Sequence, residues 1–297
     1  MDLDLKTEIK RILQENAARP LKIFGQNFLI NQKMIEKMTE GVSKKDVVLE
    51  IGPGLGVLTK ELSKKAKMVI AVEKDRKMVE LLGKTIAPEY PNVKIVNDDI
   101  LKFQISPASA GSRRGGTTYK IVANLPFYLT SPVIRMFLEA ENPPTDMTLI
   151  IQKEVAQRIC AKPPKMSILA NSVQFYAEPK IICYISKDNF WPEPKVDCAI
   201  IKISNIERKQ VPTAGEKKSK TLNDMFFRVV KAGFSHPRKQ LINNLRQLSI
   251  SREEIEKWLL INEIKPTQRA ETLTVKDWIT LSKSLPHRIS VNQLNSK

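Results

Sequence analysis

Histidine and cysteine are scarce in this 297-residue chain, which has two of the first and three of the second, Cys160, Cys183 and Cys198, with no Cys-x-x-Cys pair. That scarcity argues against a zinc site, a disulfide framework and imidazole-based catalysis, and it suits a reducing, cytoplasmic setting. No metal is expected. Long apolar runs are missing too: nothing approaches the roughly 18 consecutive apolar residues of a membrane span, so no membrane partner is expected. The opening MDLDLKTEIKRILQENAAR places acidic residues first and reads as an amphipathic helix rather than a secretory leader. Negative charge is also short. Asp and Glu number 32 against 49 Lys and Arg, a net charge of +17 that suits a polyanionic partner such as nucleic acid.

What is present is a regular series of apolar, β-branched runs: VVLEI (47–51), MVIAVE (68–73), VKIV (93–96), YKIVAN (119–124) and MTLIIQ (147–152). Helical patterns separate several of them, as in LTKELSKKA (58–66) and RKMVELLGKTI (76–86). This spacing predicts βαβ units and a mostly parallel, Rossmann-like sheet in an α/β domain. SVQFYAEPKIICYI and DCAIIKI are expected to close the sheet, with an antiparallel edge. The low-complexity SPASAGSRRGGTT (106–118) reads as an inserted surface loop, and NIERKQVPTAGEKKSK (205–220) as a linker.

Short helices follow. Thr221 with Asp224, Ser251 with Glu254 and Thr274 with Asp277 have the spacing of helix starts. Leu222, Phe226, Val229 and Val230 make one apolar helix face; Leu241, Ile242, Leu245 and Leu248 make another. The chain is thus read as a catalytic domain over 1–205, with an extension over 1–24, and a small all-helical domain over 206–297. The helical part carries 18 basic against 9 acidic residues, a charge density about twice that of the rest. Arg238, Lys239 and Arg246 within it are the expected RNA contacts.

Four polar groups are expected at four successive strand ends. LEIGPGLGVLT supplies Gly52, Gly54 and Gly56, which permit a tight turn and close backbone approach to a ligand. Val57 stands where a dinucleotide fingerprint wants Gly or Ala, and no Gly-Lys-Ser/Thr follows, so no phosphate clamp is evident. Glu73, about twenty residues on, can accept both hydroxyls of a ribose. Asp98 and Asp99 end the third strand; a carboxylate there can accept from an adenine amino group while the Ile100 N–H donates to the ring. Ligands of such sheets sit outside the carboxyl ends of the strands. An adenosine site without a phosphate grip points to S-adenosylmethionine, whose sulfonium and ammonium suit a nearby Glu50.

The fourth strand ends in Asn124-Leu125-Pro126-Phe127. A turn alone would explain Asn and Pro. An exocyclic amine, however, is a poor nucleophile because its lone pair is delocalised into the ring. The Asn124 side-chain oxygen and the Leu125 carbonyl can accept its N–H hydrogens, Pro126 removes a competing N–H, and Phe127 can stack on an extruded base.

With these residues in view, the sequence closely resembles the bacterial small-subunit rRNA adenine N6-dimethyltransferases, the KsgA family, over about residues 15–285. GQNFLIN (25–31), VLEIGPGLGVLT, AVEKD, NDDI, ANLPFYLTSPVI, IQKEVAQRI, FWPEPKVD and FFRVVKAGFSHPRKQLINNL carry the likeness. The resemblance implies that Asn27 and Leu29 also line the cofactor site. It further implies a monomer that acts on small-subunit rRNA in an immature small ribosomal subunit, where it dimethylates two adjacent adenosines in a 3′-end hairpin loop and serves subunit assembly. Phe127 stands where many members carry Tyr, Pro237 where Arg is frequent, and Cys198 where Ser is usual; that cysteine, in a buried strand, is expected to be inert packing. The alternatives are the related large-subunit rRNA methyltransferase that confers macrolide resistance, a non-catalytic RNA-binding assembly factor, and a small-molecule methyltransferase.

Overall fold

The computed structural model describes residues 4–21, 25–103, 118–206 and 222–286. The 106–118 insertion, apart from Thr118, the 205–220 linker from residue 207 onward and Thr221 lie outside these. The chain divides into two compact units, Met1–Gln157 with Ala177–Glu207, and Arg158–Tyr176 with Arg208–Lys297. Residues 158–176, read from sequence as part of the first domain, thus group with the C-terminal helices.

The first unit is built on a seven-stranded sheet of β1 (Val47–Ile51), β2 (Met68–Glu73), β3 (Val93–Asn97), β4 (Lys120–Asn124), β5 (Asp146–Gln152), β6 (Glu178–Ile185) and β7 (Cys198–Ser204). Its order is β3-β2-β1-β4-β5-β7-β6. β1 to β5 pair in parallel, and β7 runs antiparallel to both β5 and β6. The central strands are apolar throughout because parallel strands are covered on both faces; every residue of β1 is buried. The chain winds outward through β1, β2 and β3 and then restarts at β4 on the other side of β1. This switch point opens a crevice at the carboxyl ends of β1 and β4.

An amphipathic helix, Leu5–Glu15, is capped by the Asp4 side chain and buries Ile9 and Leu13. These two pack with Phe28, Leu55, Met78 and Leu81 in a small cluster beside the crevice. Asn31 caps the next helix, Gln32–Thr39, and Asp75 caps Arg76–Thr85.

One expectation needs correction. Ser172–Tyr176 does not begin a strand: the Ser167 side chain accepts from the Ala170 N–H and starts a helix, Ile168–Gln174, which turns at Phe175. The sheet strand begins only at Glu178. On the apolar face of the helix Leu222–Gly233, Phe226, Val229 and Val230 are buried, while Leu222 at its first position is exposed.

In the second unit, helices Leu222–Gly233, Leu241–Leu245, Arg252–Ile261 and Val275–Lys283 bury Leu241, Ile242, Leu245, Leu248 and Trp278. Ser251 with Glu254 and Thr274 with Asp277 both form full capping boxes. Gly233 is required by contact, since a Cβ there would sit 2.3 Å from the Trp278 ring. The buried Asn244 donates to the carbonyls of Gly233 (2.7 Å) and His236 (3.1 Å), which pins the loop that presents Arg238 and Lys239.

Candidate active site

One cleft at the carboxyl ends of β1 to β4 is lined by every residue expected for the cofactor and for the catalytic turn: Asn27, Leu29, Gly52, Gly54, Glu73, Asp99, Ile100, Asn124, Leu125, Pro126 and Phe127. Its floor is the glycine turn. Gly52, Gly54 and Gly56 have φ of 66°, 57° and 80°, the left-handed region that glycine alone enters freely. A Cβ on Gly54 would stand 2.8 Å from the Phe28 ring, so the turn closes against that ring. A Cβ on Gly52 would meet nothing within 4 Å, because this backbone faces the open cleft.

Glu73 holds this turn in place. Its carboxylate accepts from the Gly54 N–H (3.1 Å) and the Asp75 N–H (2.9 Å), and it is buried. Burial pushes its carboxyl above the usual range, and the two backbone donors oppose that shift. Each of its oxygens retains a lone pair for a further donor. Glu50 is more extreme. It is 1% exposed, and neither carboxylate oxygen has a hydrogen-bond partner among the described residues. Burial raises its pKa to about 8; the Thr59 hydroxyl opposes this without reaching hydrogen-bond geometry, and Glu73 adds to it. An unpaired buried carboxylate costs free energy unless it stays protonated or meets a cation. The cleft of this strongly basic protein is therefore built to accept positive charge.

Asp99 accepts from the Leu101 N–H (3.1 Å) and from the Lys74 ammonium (2.9 Å). The Lys74 contact, first, and the Leu101 N–H hold its carboxyl below the usual range. The Asx-type turn and the cleft-facing carboxylate thus coexist. Asp98 joins in by accepting from the Asp99 N–H (2.7 Å).

The turn after β4 is fixed by the 25–31 segment. The Asn124 Nδ2 donates to the Asn27 carbonyl at 2.8 Å. Only the amide nitrogen can serve a carbonyl, so its Oδ1 is the acceptor left for the cleft. The Asn27 side chain itself donates to the Gly25 carbonyl (3.0 Å), so Asn27 meets the turn through its backbone. Phe28 and Leu29 pair antiparallel with Trp191 and Phe190, and Asn31 bonds Asn189 at 2.6 Å. Phe127 opens a 3-10 turn, Phe127–Leu129, and packs on the core beneath. Phe28, Lys74, Tyr128, Phe190, Pro194 and Cys198 also line the cleft. Sequence reasoning gave none of these a role in the site; a two-residue strand such as Phe190–Trp191 has no periodicity to detect. Burial raises the Cys198 thiol to about 12, so it stays protonated.

Arg238, Lys239 and Arg246 are exposed side chains of the second unit. No group of three or more metal-ligating side chains occurs among the described residues, and no described helix is long and apolar enough to cross a membrane.

Residues 19–287 match the family described as ribosomal RNA adenine dimethylase. The chain is 40% identical over 277 residues to the ribosomal RNA small subunit methyltransferase A of Dehalococcoides mccartyi, covering 92% of this chain and 91% of that protein. It is 36% identical over 297 residues to the protein of the same name from a Geobacillus species, covering 97% and 99%. Among solved structures, the 23S rRNA methyltransferase ErmE superposes with a TM-score of 0.68 at 24% identity, over 87% of this chain and 99% of that one. A dimethyladenosine transferase from Plasmodium falciparum superposes with a TM-score of 0.67 at 22% identity, over 86% and 95%. These two show the shared fold.

Proposed function

The chain belongs to the ribosomal RNA adenine dimethylase family, and from that premise we infer that it transfers methyl groups from S-adenosylmethionine to adenine N6 of small-subunit rRNA, producing N6,N6-dimethyladenosine. The observation that carries the site assignment is the Asn124 amide, whose nitrogen is engaged by Asn27 and whose oxygen is left to the cleft.

The residues present fit S-adenosylmethionine. Glu50 is an unpartnered buried carboxyl beside a backbone cradle that side chains would obstruct. Glu73 has acceptor capacity for a ribose. Asp99 with the Ile100 N–H forms an acceptor–donor pair suited to the edge of adenine. When bound, the cofactor supplies an electrophilic methyl group on a sulfonium.

The chain's own groups hold the nucleophile. In this reading Asn124 Oδ1 accepts one N6–H and the Leu125 carbonyl, at the same strand end, accepts the other. Both act to turn the nitrogen lone pair toward the methyl. Phe127 supports one face of the extruded base. Stacking of this kind is worth about 1–3 kcal/mol, against a flipping cost of a few kcal/mol that is smaller in a loop. After transfer the nitrogen sheds an N–H proton to water. No strong base is needed, since positioning does most of the work. The target pair of adjacent adenosines, the immature small subunit as substrate, a monomeric state and a cytoplasmic location belong to the same proposal. Their support is the family resemblance and the basic helical unit.

The test is incubation with S-adenosylmethionine and under-methylated small subunits, or large-subunit rRNA in parallel, followed by mass spectrometry of the digested RNA. Dimethyladenosine in the small-subunit RNA alone is the expected result. Modification of large-subunit RNA alone would overturn the substrate assignment.

A further inference from the structure

The short segment 194–198 separates two hollows of the first unit. Pro194 and Cys198 line the cleft, whereas Lys195, Val196 and Asp197 between them line a second groove with Gln152, Lys153 and Lys187. Sheet register puts both hollows on one edge of the sheet. Asn124 pairs with Ile150 of β5, Gln152 two residues on pairs with Cys198 of β7, and Cys198 pairs with Ile185 of β6. Gln152 ends β5 and Cys198 opens β7, so the groove lies beyond the carboxyl end of β5. That is one to two strands past Asn124, about 5–10 Å along the edge. Gly52, Glu73 and Asp99, at the ends of β1, β2 and β3, lie on the other side of Asn124 in strand order.

An aromatic ring borders this groove. The Lys153 ammonium sits over the Tyr184 ring, 5.4 Å from its centroid, and the Gln157 amide donates to the Tyr184 hydroxyl at 3.4 Å. Lys153 and Gln157 both line the groove. Although these contacts hold the ring, Tyr184 is still 51% exposed, which leaves ring surface for a ligand. Asp197 organises the lysines. Its carbonyl accepts from the Lys153 N–H (3.0 Å), and its carboxylate accepts from the Lys187 N–H (3.3 Å) and meets the Lys153 ammonium at 3.5 Å. The Lys187 ammonium is bonded to Glu193 at 2.7 Å. Both ion pairs stand about half in water, where such a pair contributes little net stability, so a phosphate can take over either ammonium. Lys195 is exposed and has no ion-pair partner among the described residues. With Glu154 the groove holds three ammonium groups against two carboxylates.

A ring with free surface beside mobile ammonium groups is the combination that holds single-stranded nucleic acid: the ring takes a base, the cations take the backbone. A base drawn into the cleft stays joined to its neighbours through their phosphates, and the groove is the adjoining hollow on the side away from the cofactor residues. We propose that this groove is a subsite for the RNA strand flanking the target adenosine, with a neighbouring base stacked on Tyr184 and flanking phosphates among Lys153, Lys187 and Lys195. The inference rests on the RNA-methylating reading above. It gives the catalytic unit its own grip on the RNA strand, in addition to Arg238, Lys239 and Arg246 of the helical unit.

Steady-state methylation of under-methylated small subunits tests it. Tyr184→Ala is expected to raise the KM for the RNA substrate about tenfold, the scale of one lost aromatic–base stack, with kcat within about twofold. Tyr184→Phe should stay within about twofold of wild type in both, because the ring face does the stacking. Affinity for S-adenosylhomocysteine, read by calorimetry, should be unchanged in both variants, and a thermal melt verifies the fold. Replacing Lys153, Lys187 and Lys195 together with Gln should shrink the slope of log K against log salt for rRNA by about 1–2. Ultraviolet crosslinking of the wild-type complex, mapped by mass spectrometry, should join Tyr184 to a nucleotide next to the modified adenosines. An unchanged KM in Tyr184→Ala overturns the proposal, as does an unchanged salt slope in the lysine variant or a crosslink remote from the modified adenosines. A fall in kcat or in S-adenosylhomocysteine affinity at constant KM also overturns it, since the residue would then act on the cleft. Failure of the wild-type protein to methylate small-subunit RNA would instead overturn the reading beneath it.

Discussion

The amide nitrogen of Asn124 lies 2.8 Å from the carbonyl oxygen of Asn27, 97 residues earlier in the chain. One bond across that separation decides which end of the amide the substrate meets. Asn124→Ala is expected to lower the single-turnover rate of methyl transfer by about 10²–10³, the usual loss for a preorganised polar group at a reacting centre. Stability should fall by only about 1 kcal/mol. Rapid-quench assays paired with urea melts measure the two effects. A wild-type rate would leave this segment as a simple turn.

Phe127 separates ring from hydroxyl. Phe127→Ala should raise the KM for rRNA and leave S-adenosylhomocysteine affinity within about twofold, while Phe127→Tyr remains active because the ring face does the stacking. A second methylation offers one N–H fewer to accept, so a weakened turn should stall at monomethyladenosine. Mass spectrometry of digested RNA reads the ratio of the two products.

Glu50 makes stability depend on pH. Its carboxyl titrates near 8 in the folded protein, against an ordinary value of 4.5. Between those values the unfolded chain has lost a proton that the folded one keeps, so stability falls as pH rises and levels off above about 8. Glu73, also raised by burial, adds in the same direction. Glu50→Gln keeps the neutral form at every pH. Its Tm relative to wild type should therefore climb between pH 5 and 8, as followed by circular dichroism.

Gly54 has no room for a side chain. With φ at 57° and a Cβ position 2.8 Å from Phe28, Gly54→Ala should cost about 1–3 kcal/mol of stability. It should also displace the N–H that serves Glu73, so that S-adenosylhomocysteine affinity falls along with the Tm. Calorimetry and thermal melts on the same preparation give both numbers.

Replacing Arg238, Lys239 and Arg246 with Ala should weaken rRNA binding without changing S-adenosylhomocysteine affinity. If each contacts a phosphate, the slope of log K against log salt should shrink by about 2–3. A filter-binding series across salt concentrations provides the slope.

The parallel strands were legible because burial on both faces turns a strand into a short, unbroken apolar run, as in Val47–Ile51. The polar site residues were legible for the complementary reason: Glu73, Asp99 and Asn124 interrupt such runs at their ends, where a buried strand has no need of charge or amide. The Asn27 carbonyl, the Lys74–Asp99 pair and the Phe190 wall were not legible, because each depends on a meeting of distant segments that leaves no local pattern. Ser172–Tyr176 misled because a short apolar stretch fits strand and helix alike, and the decisive Ser167 cap lies outside it. Nothing in the composition of 158–176 marks its grouping with the C-terminal helices.

The pairing of Phe28 and Leu29 with Trp191 and Phe190, fastened by the Asn31–Asn189 bond across 158 residues, has a consequence for synthesis on the ribosome. The segment that orients Asn124 is made among the first thirty or so residues, but its partner strand is among the last to be made in this unit. A nascent chain that has not yet released residue 191 has the glycine turn and the acidic strand ends but lacks the clasp that closes them. The cleft is thus completed only when nearly the whole of this unit has been made.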